Sequence, residues 1–157
     1  MFREITRIKQ KMQKERCIDI LRTEKRGVLA VQGDDGYPYA MPINHYYNDD
    51  DGRIYFHSGM TGHKIDALKK CDKVSFCVYE CEKTDSEWYL TVNSVIVFGR
   101  VEFETDRQKV YDISRRLSRK FTDDSEYIEN EIDKFGKNTL MFAIIPEHIT
   151  GKTVKEK

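Results

Sequence analysis

The sequence predicts a mainly β domain of the α+β kind: a small antiparallel barrel of six to seven strands with helices at its periphery. Three observations predict it. Short apolar runs broken by Asp- and Gly-rich turns fill residues 27–58. A long run over residues 87–104 ends in clear alternation of core-type and surface-type positions. Helical spacing is confined to the segments around these runs, and the chain returns to a strand near its end.

The elements follow in order. Residues 4–24 carry Ile5, Ile8, Met12, Ile18 and Leu21 at helical spacing, with a break near Lys14–Arg16 that divides two helices. "GVLAVQG" (27–33) is a strand, "DDG" (34–36) a hairpin turn and "YPYAMPINHYY" (37–47) a second strand. Pro38 and Pro42 assign that strand to an edge or a bulge, because proline gives no N–H to a ladder. "NDDDG" (48–52) turns the chain into a third strand, "RIYFHS" (53–58). Residues 61–71 form a short helix with Ile65 and Leu68 inward and Thr61 at the N-cap. "KVSFCVYE" (73–80) and "EWYLTVNSVIVFGRVEFE" (87–104) are strands; Val95, Val97, Gly99, Val101 and Phe103 share the core face. Val110, Ile113, Leu117 and Phe121 line an amphipathic helix over 106–121. A further helix follows Asp124, with Ile128, Ile132 and Phe135 on one side, and "TLMFAIIPEHI" (139–149) closes the fold. One domain over 1–157 results, with a helical N-terminal segment (1–24) and a helical insertion (105–137) before the last strand.

Composition narrows the function classes. The 27 basic and 27 acidic residues cancel, so no charge surplus points to nucleic acid or an anionic membrane. No run approaches the ~20 apolar residues of a membrane span. Met1 to Arg16 is too polar for the core of a secretory signal, which makes a cytoplasmic location the expectation. Cys17, Cys71, Cys77 and Cys81 contain no C-x-x-C pair, so they read as buried thiols and no metal site is assigned. Asp49, Asp50 and Asp51 lack the downstream Glu of a calcium loop and read as a solvated turn. Arg115, Arg116 and Arg119 read as a solvated helix face, with Lys120 at its margin.

The chemistry concentrates at "FHSGMTGHKI" (56–65), where a strand hands over to a helix. A helix N-terminus offers unpaired N–H groups and partial positive charge, which suits an anion. Here Ser58, Thr61, His63 and Lys64 add polar and cationic groups, and Gly59 and Gly62 let backbone approach a ligand. The cluster fits a phosphate monoester and lacks the spacing of a Walker loop. Spacing alone is equally consistent with a capped helix whose first turn is simply solvated. No G-x-S-x-G elbow or H-E-x-x-H pair sets up a nucleophile or metal, so chemistry would have to come from a cofactor.

Three stretches, "RGVLAVQGDDGYPYAMPINHYY", "GRIYFHSGMTGHKIDALKKCDKVSFCVYE" and "NSVIVFGRVEFE", with the closing "FAIIPEHITGK", resemble the pyridoxamine-phosphate-oxidase-like family of FMN-binding split barrels. The resemblance covers most of residues 26–152 and is nearest to the nitroimidazole-reductase (Nim) branch. It implies a homodimer with FMN in a groove between protomers. It implies that Tyr39, Ala40, Met41, Pro42, Ile43 and Asn44 line the flavin ring, and that His57 and Ser58 end a strand beside the ribityl phosphate. His63 and Lys64 match the basic pair on the phosphate, and Ser94 matches a polar residue near the ring, contributed by the partner chain. His57 also matches the active-site histidine of the Nim branch and is the catalytic candidate.

The departures are informative. His63 stands where many relatives carry Arg, Asn44 stands where the oxidases have Lys, and the C-terminal Trp and Arg segment that closes the pyridoxal-phosphate site has no counterpart. Vitamin B6 oxidation is therefore not expected. The reading is an FMN-dependent oxidoreductase acting on a small flat acceptor, nitroaromatic or quinone-like. The alternatives are a non-enzymatic flavin- or haem-binding module and an interaction domain with an empty groove; a deazaflavin in place of FMN is also left open. Of the other residues, His45 reads as an exposed strand-end histidine, His148 as surface or interface, and Trp88 as filling the barrel end.

Overall fold

The computed structural model describes residues 1–83 and 90–155. Trp88 lies outside the described residues. Seven strands are present: β1 (Arg26–Gln32), β2 (Pro38–Asn44), β3 (Tyr46–Asn48), β4 (Arg53–Ser58), β5 (Lys73–Lys83), β6 (Leu90–Glu104) and β7 (Leu140–Lys155). The helices are α1 (Lys14–Thr23), α2 (His63–Lys70), α3 (Arg107–Arg119) and α4 (Ser125–Phe135).

The strands form one antiparallel sheet in the order β2-β1-β5-β6-β7-β4-β3. One residue, His45, separates β2 from β3, yet these strands occupy opposite edges. Only a sheet that curls back on itself satisfies both facts, and β2 does meet β4 across the seam. The result is a curled half-barrel, consistent with the split barrel expected. The single strand expected over 37–47 is thus two, because the backbone leaves the sheet at His45, whose N–H turns to the Lys25 carbonyl.

The core follows the period of two. Leu29 and Val31, Val74, Phe76 and Val78, and Val95, Val97 and Val101 are buried on the inner face with Ile54, Phe56, Phe142 and Ile144. Phe56 stacks on Phe142 and meets Phe76 edge-on, with centroids 5.1 Å apart in both pairs. Burying each such aliphatic or aromatic side chain contributes roughly 1.5–3 kcal/mol. Cys17, Ile20 and Leu21 of α1 and Ile65, Ala67 and Leu68 of α2 complete this core. The outer face of β4 and β7 is covered as well: Tyr55, Met141 and Ala143 pack against Val110 and Ile113 of α3. Leu117 is buried, whereas Phe121 is half exposed beneath Lys25. At the β6–β7 bulge between Phe98 and Gly99, a side chain on Gly99 would collide with the Ile145 carbonyl, which explains the glycine.

Several expectations need correction. Residues 4–13 hold only a 3-10 turn at Ile8–Gln10, because their backbone pairs elsewhere: Met12 N–H donates to the Gly151 carbonyl and Lys11 bridges Lys152 of β7. Only Cys17 is a buried thiol; Cys71 and Cys77 are partly exposed and Cys81 is exposed. The acidic turn is paired: Asp49 accepts from Arg22 at 2.7 and 3.0 Å, Asp50 from Arg116 at 3.1 Å, and Asp51 from the Tyr55 hydroxyl at 2.6 Å. Among the described residues no group of three or more His, Cys, Asp or Glu side chains is arranged to hold a metal, and no helix is long and apolar enough to cross a membrane.

His45 is not an exposed histidine. Its ring is fully buried, Nε2 lies 2.7 Å from the Leu21 carbonyl, and Nδ1 has no partner. Lys120 is not marginal either: its ammonium turns inward to the carbonyls of Glu24 at 2.5 Å and His45 at 2.9 Å, tying the end of α3 to α1 and the β2–β3 link. His148 is half-buried, stacked on Phe2 at 4.8 Å.

Candidate functional site

The expected site residues meet where β2, the end of β4 and the start of α2 converge. On β4, Ile54 and Phe56 point into the core, so alternation sends Tyr55 and His57 outward. Tyr55 is covered by α3, but His57 lies past that cover, with part of its ring at the surface and protein around the rest. Desolvation, aided by the nearby Lys64 charge, pushes the His57 pKa below the ordinary histidine value and favours the neutral ring. His57 lines a cleft of about 460 Å³ with Arg26, Pro42, Ile43 and Asn44.

β2 forms the floor of this region. Met41 and Ile43 pack on the core, while Pro38, Tyr39, Ala40 and Pro42 are exposed and Asn44 is half-buried. As an edge strand β2 pairs only with β1, and its prolines are accommodated because one side of the strand needs no ladder bonds. Arg26 donates from Nε to the Asn44 side-chain oxygen at 2.8 Å and fixes that end of the cleft.

The other end is the start of α2. The helix begins at His63, and its N-cap is Gly62 with φ +130°, not Thr61, which is exposed and makes no capping bond. That φ is open to glycine and strained for other residues. With no side chain capping it, the first turn leaves amides for another acceptor. Side chains added at Gly59 or Gly62 would meet nothing within 4 Å, so this loop faces open space. Lys64 is half-buried, and desolvation alone lowers its pKa from the usual lysine value, with no carboxylate offsetting it among the described residues. His63 stacks on Tyr39 at 4.2 Å, and its Nε2 lies 3.6 Å from Asp34 Oδ2. Ser58 is half-buried at the end of β4.

The structure therefore brings Pro42, Ile43 and Asn44 into one cleft with His57, and stacks Tyr39 on His63 near Lys64, while Met41 packs on the core. Ser94 is not among them. It lies on β6, three positions from β2 in the strand order, opposite Tyr79 and Lys152. A family profile described as pyridoxamine 5'-phosphate oxidase matches residues 13–153. The chain belongs to that family.

Solved structures with the same fold are similar to this member of the pyridoxamine 5'-phosphate oxidase family over most of its length. A candidate 5-nitroimidazole antibiotic resistance protein from Bacteroides thetaiotaomicron is 22% identical, with TM-score 0.74, over 92% of this chain and 87% of that one. A FAD-binding protein from Mesorhizobium loti is 25% identical, with TM-score 0.65, over 92% and 97%. A FAD and heme binding protein from Mycobacterium smegmatis is 22% identical, with TM-score 0.69, over 92% and 72%. A comparison with curated proteins finds no match.

Two features of this site escaped the sequence reading. Arg26 was legible: the turn at residues 34–36 sets a register that pairs Arg26 with Asn44. The approach of α4 was not legible. Tyr127, Glu131 and Phe135 reach the neighbourhood of His57 only because α4 folds back across the end of β4.

Proposed function

We propose that the protein is a homodimeric FMN-binding oxidoreductase that reduces a small flat acceptor. One observation carries the cofactor reading. A lysine with its ammonium partly desolvated and, among the described residues, no carboxylate partner stands beside an uncapped helix start and an open glycine loop, at the end of an exposed strand. An ester dianion supplies the missing charge and the missing acceptors. Lys64, Ser58 and the first-turn amides of α2 hold the phosphate, with His63 assisting when protonated. The backbone and side chains from Tyr39 to Asn44 support the isoalloxazine. When bound, FMN would supply the hydride or electron chemistry that no side-chain constellation here provides. Neutral His57, in the cleft with Asn44 and Arg26, can donate or accept a hydrogen bond at the acceptor. The flavin-binding relative from Mesorhizobium loti supports the cofactor class.

The second wall of the groove comes from a second copy. The outer sheet face carries apolar rows in register: Pro42, Val28, Cys77 and Ile96, then Ala40, Ala30, Ser75 and Phe98. Val28, Ile96 and Phe98 remain 38–39% exposed there, and Tyr79 is 58% exposed. Ser94 lies on this same face, where only a partner could carry it to a cleft formed by the other chain. We expect the protein to sediment as a dimer, and Ile96→Asp combined with Phe98→Asp to give a folded monomer with reduced flavin binding. Monomeric mass in the unsubstituted protein would remove the dimer from the proposal.

The direct test is the visible spectrum of the purified protein, with mass analysis of the small molecule released on denaturation. FMN absorbance, bleaching by reduced nicotinamide and recovery with a nitroaromatic or quinone are the expected results. A colourless protein whose melting temperature ignores excess FMN sinks the cofactor reading, since ligand at ~100 times its dissociation constant adds ~2.7 kcal/mol. Bleaching without recovery selects a storage or sensing module, and a haem spectrum replaces the flavin.

A further inference from the structure

We infer that the cavity between the end of β4 and helix α4 is a recognition site for planar cationic aromatic molecules, with Glu131 receiving the cation. The cavity measures about 330 Å³, near the lower end of the ~300–1,000 Å³ span of small-molecule sites. Its walls combine Tyr127, Ile128, Ile132 and Phe135 of α4 with Glu131 and His57. It is distinct from the phosphate end at α2, and His57 alone lines both this cavity and the β2 cleft.

The apolar side of α4 explains why the cavity is open. Ile128 is buried, but Phe135 is 53% and Tyr127 54% exposed, so the stripe that would ordinarily seat a helix is only partly covered. α4 is held instead at its polar side, where Arg115 of α3 makes a two-bond contact with Glu129 at 2.7 and 3.0 Å. The helix is thus fixed while part of its apolar side faces a void. Flat rings suit such walls, since aromatic pairs add ~0.5–1.5 kcal/mol beyond burial.

Charge selects within that class. Glu131 is the one formally charged side chain lining the cavity among the described residues, and none of those residues pairs with it. The hydroxyls of Ser114, Ser118 and Thr139 offer neutral polar contacts. Arg107 and Lys134 border the cavity without lining it: Arg107 donates to the carbonyls of Gly136 and Thr139, and Lys134 lies over the Phe135 ring, and neither pairs with Glu131. The neutral ring favoured at His57 adds an acceptor and no competing charge. A carboxylate opposite aromatic faces matches amidinium, pyridinium or protonated heteroaromatic amines.

This cavity is separate from the β2 cleft proposed for the flavin and its acceptor, and recognition there does not rest on the flavin reading. The test is calorimetric titration of the full chain with benzamidine, benzamide and benzoate, alongside the visible spectrum for flavin. Benzamidine should bind at least tenfold tighter than benzoate. Glu131→Gln should weaken benzamidine about tenfold while leaving benzamide and flavin content unchanged. Phe135→Ala should weaken benzamidine and benzamide together, which places them in this cavity. No preference for benzamidine, or a preference that survives Glu131→Gln, overturns the inference. A colourless protein that still shows the preference supports the cavity and overturns only the flavin reading.

Discussion

Lys64→Glu is expected to fold normally and to bind FMN at least ~100-fold more weakly than the unsubstituted protein, read by quenching of flavin fluorescence. The reason is that no carboxylate among the described residues offsets this cation. Its pKa is lowered by desolvation alone, so the folded protein already bears the cost of removing water from the ammonium. A dianion recovers that cost through charge-assisted hydrogen bonds of about 1.5–3 kcal/mol, and each 1.4 kcal/mol is about tenfold in affinity. Reversal removes this contribution and adds repulsion between the new carboxylate and the phosphate. Lys64→Gln should lie between the two, because only the charge-assisted share is lost. Thr61→Ala should change affinity less than tenfold, since Thr61 does not cap α2. Unchanged affinity in Lys64→Glu, with intact circular dichroism, would remove the phosphate from this end of the cleft.

Acid should destabilise the fold through His45 by about 3 kcal/mol between pH 7 and pH 4.5. Burial first, and the Lys120 charge second, push the His45 pKa from 6.5 down to about 3. The folded value lies below the unfolded one, so the unfolded chain binds the proton more readily. Above pH 6.5 the ring is neutral in both states and contributes nothing to the dependence. As pH falls from 6.5 towards 3, the unfolded state gains a proton that the folded state refuses, and stability drops. Two pH units of that window at ~1.36 kcal/mol each give the stated magnitude. Lys120 acts at the opposite end: its pKa is lowered from 10.5 to about 8, so its contribution makes stability rise with pH across that interval. Urea unfolding at pH 7 and pH 4.5 measures the His45 effect, and His45→Gln should flatten the difference whatever it costs at neutral pH. An equal loss in His45→Gln would assign the acid sensitivity to other groups.

The fold was legible wherever local chemistry and tertiary need coincide. β4 ran where "RIYFHS" placed it because turn residues bound it on one side and a glycine loop on the other. Val95, Val97 and Val101 took the inner face because a strand's period of two admits no compromise. Residues 4–13 misled because Ile5, Ile8 and Met12 satisfy helical spacing as well as they satisfy an extended segment lying against β7. His45 misled for a related reason: polarity predicts exposure only if no buried carbonyl awaits the ring, and the Leu21 carbonyl does.

The sequence by itself determined the mainly β antiparallel class, the assignment of the strand with Pro38 and Pro42 to an edge or a bulge, and the polar junction at Ser58 to Lys64. These depend on covalent geometry and on neighbours close in the chain. The tertiary structure decided which groups share water. It left Lys64 without a carboxylate among the described residues, turned Lys120 inward, buried His45, carried Ser94 away from the cleft and brought α4 over His57. Each of those outcomes depends on desolvation and on contacts between residues far apart in sequence, and neither is encoded in the spacing of a single segment.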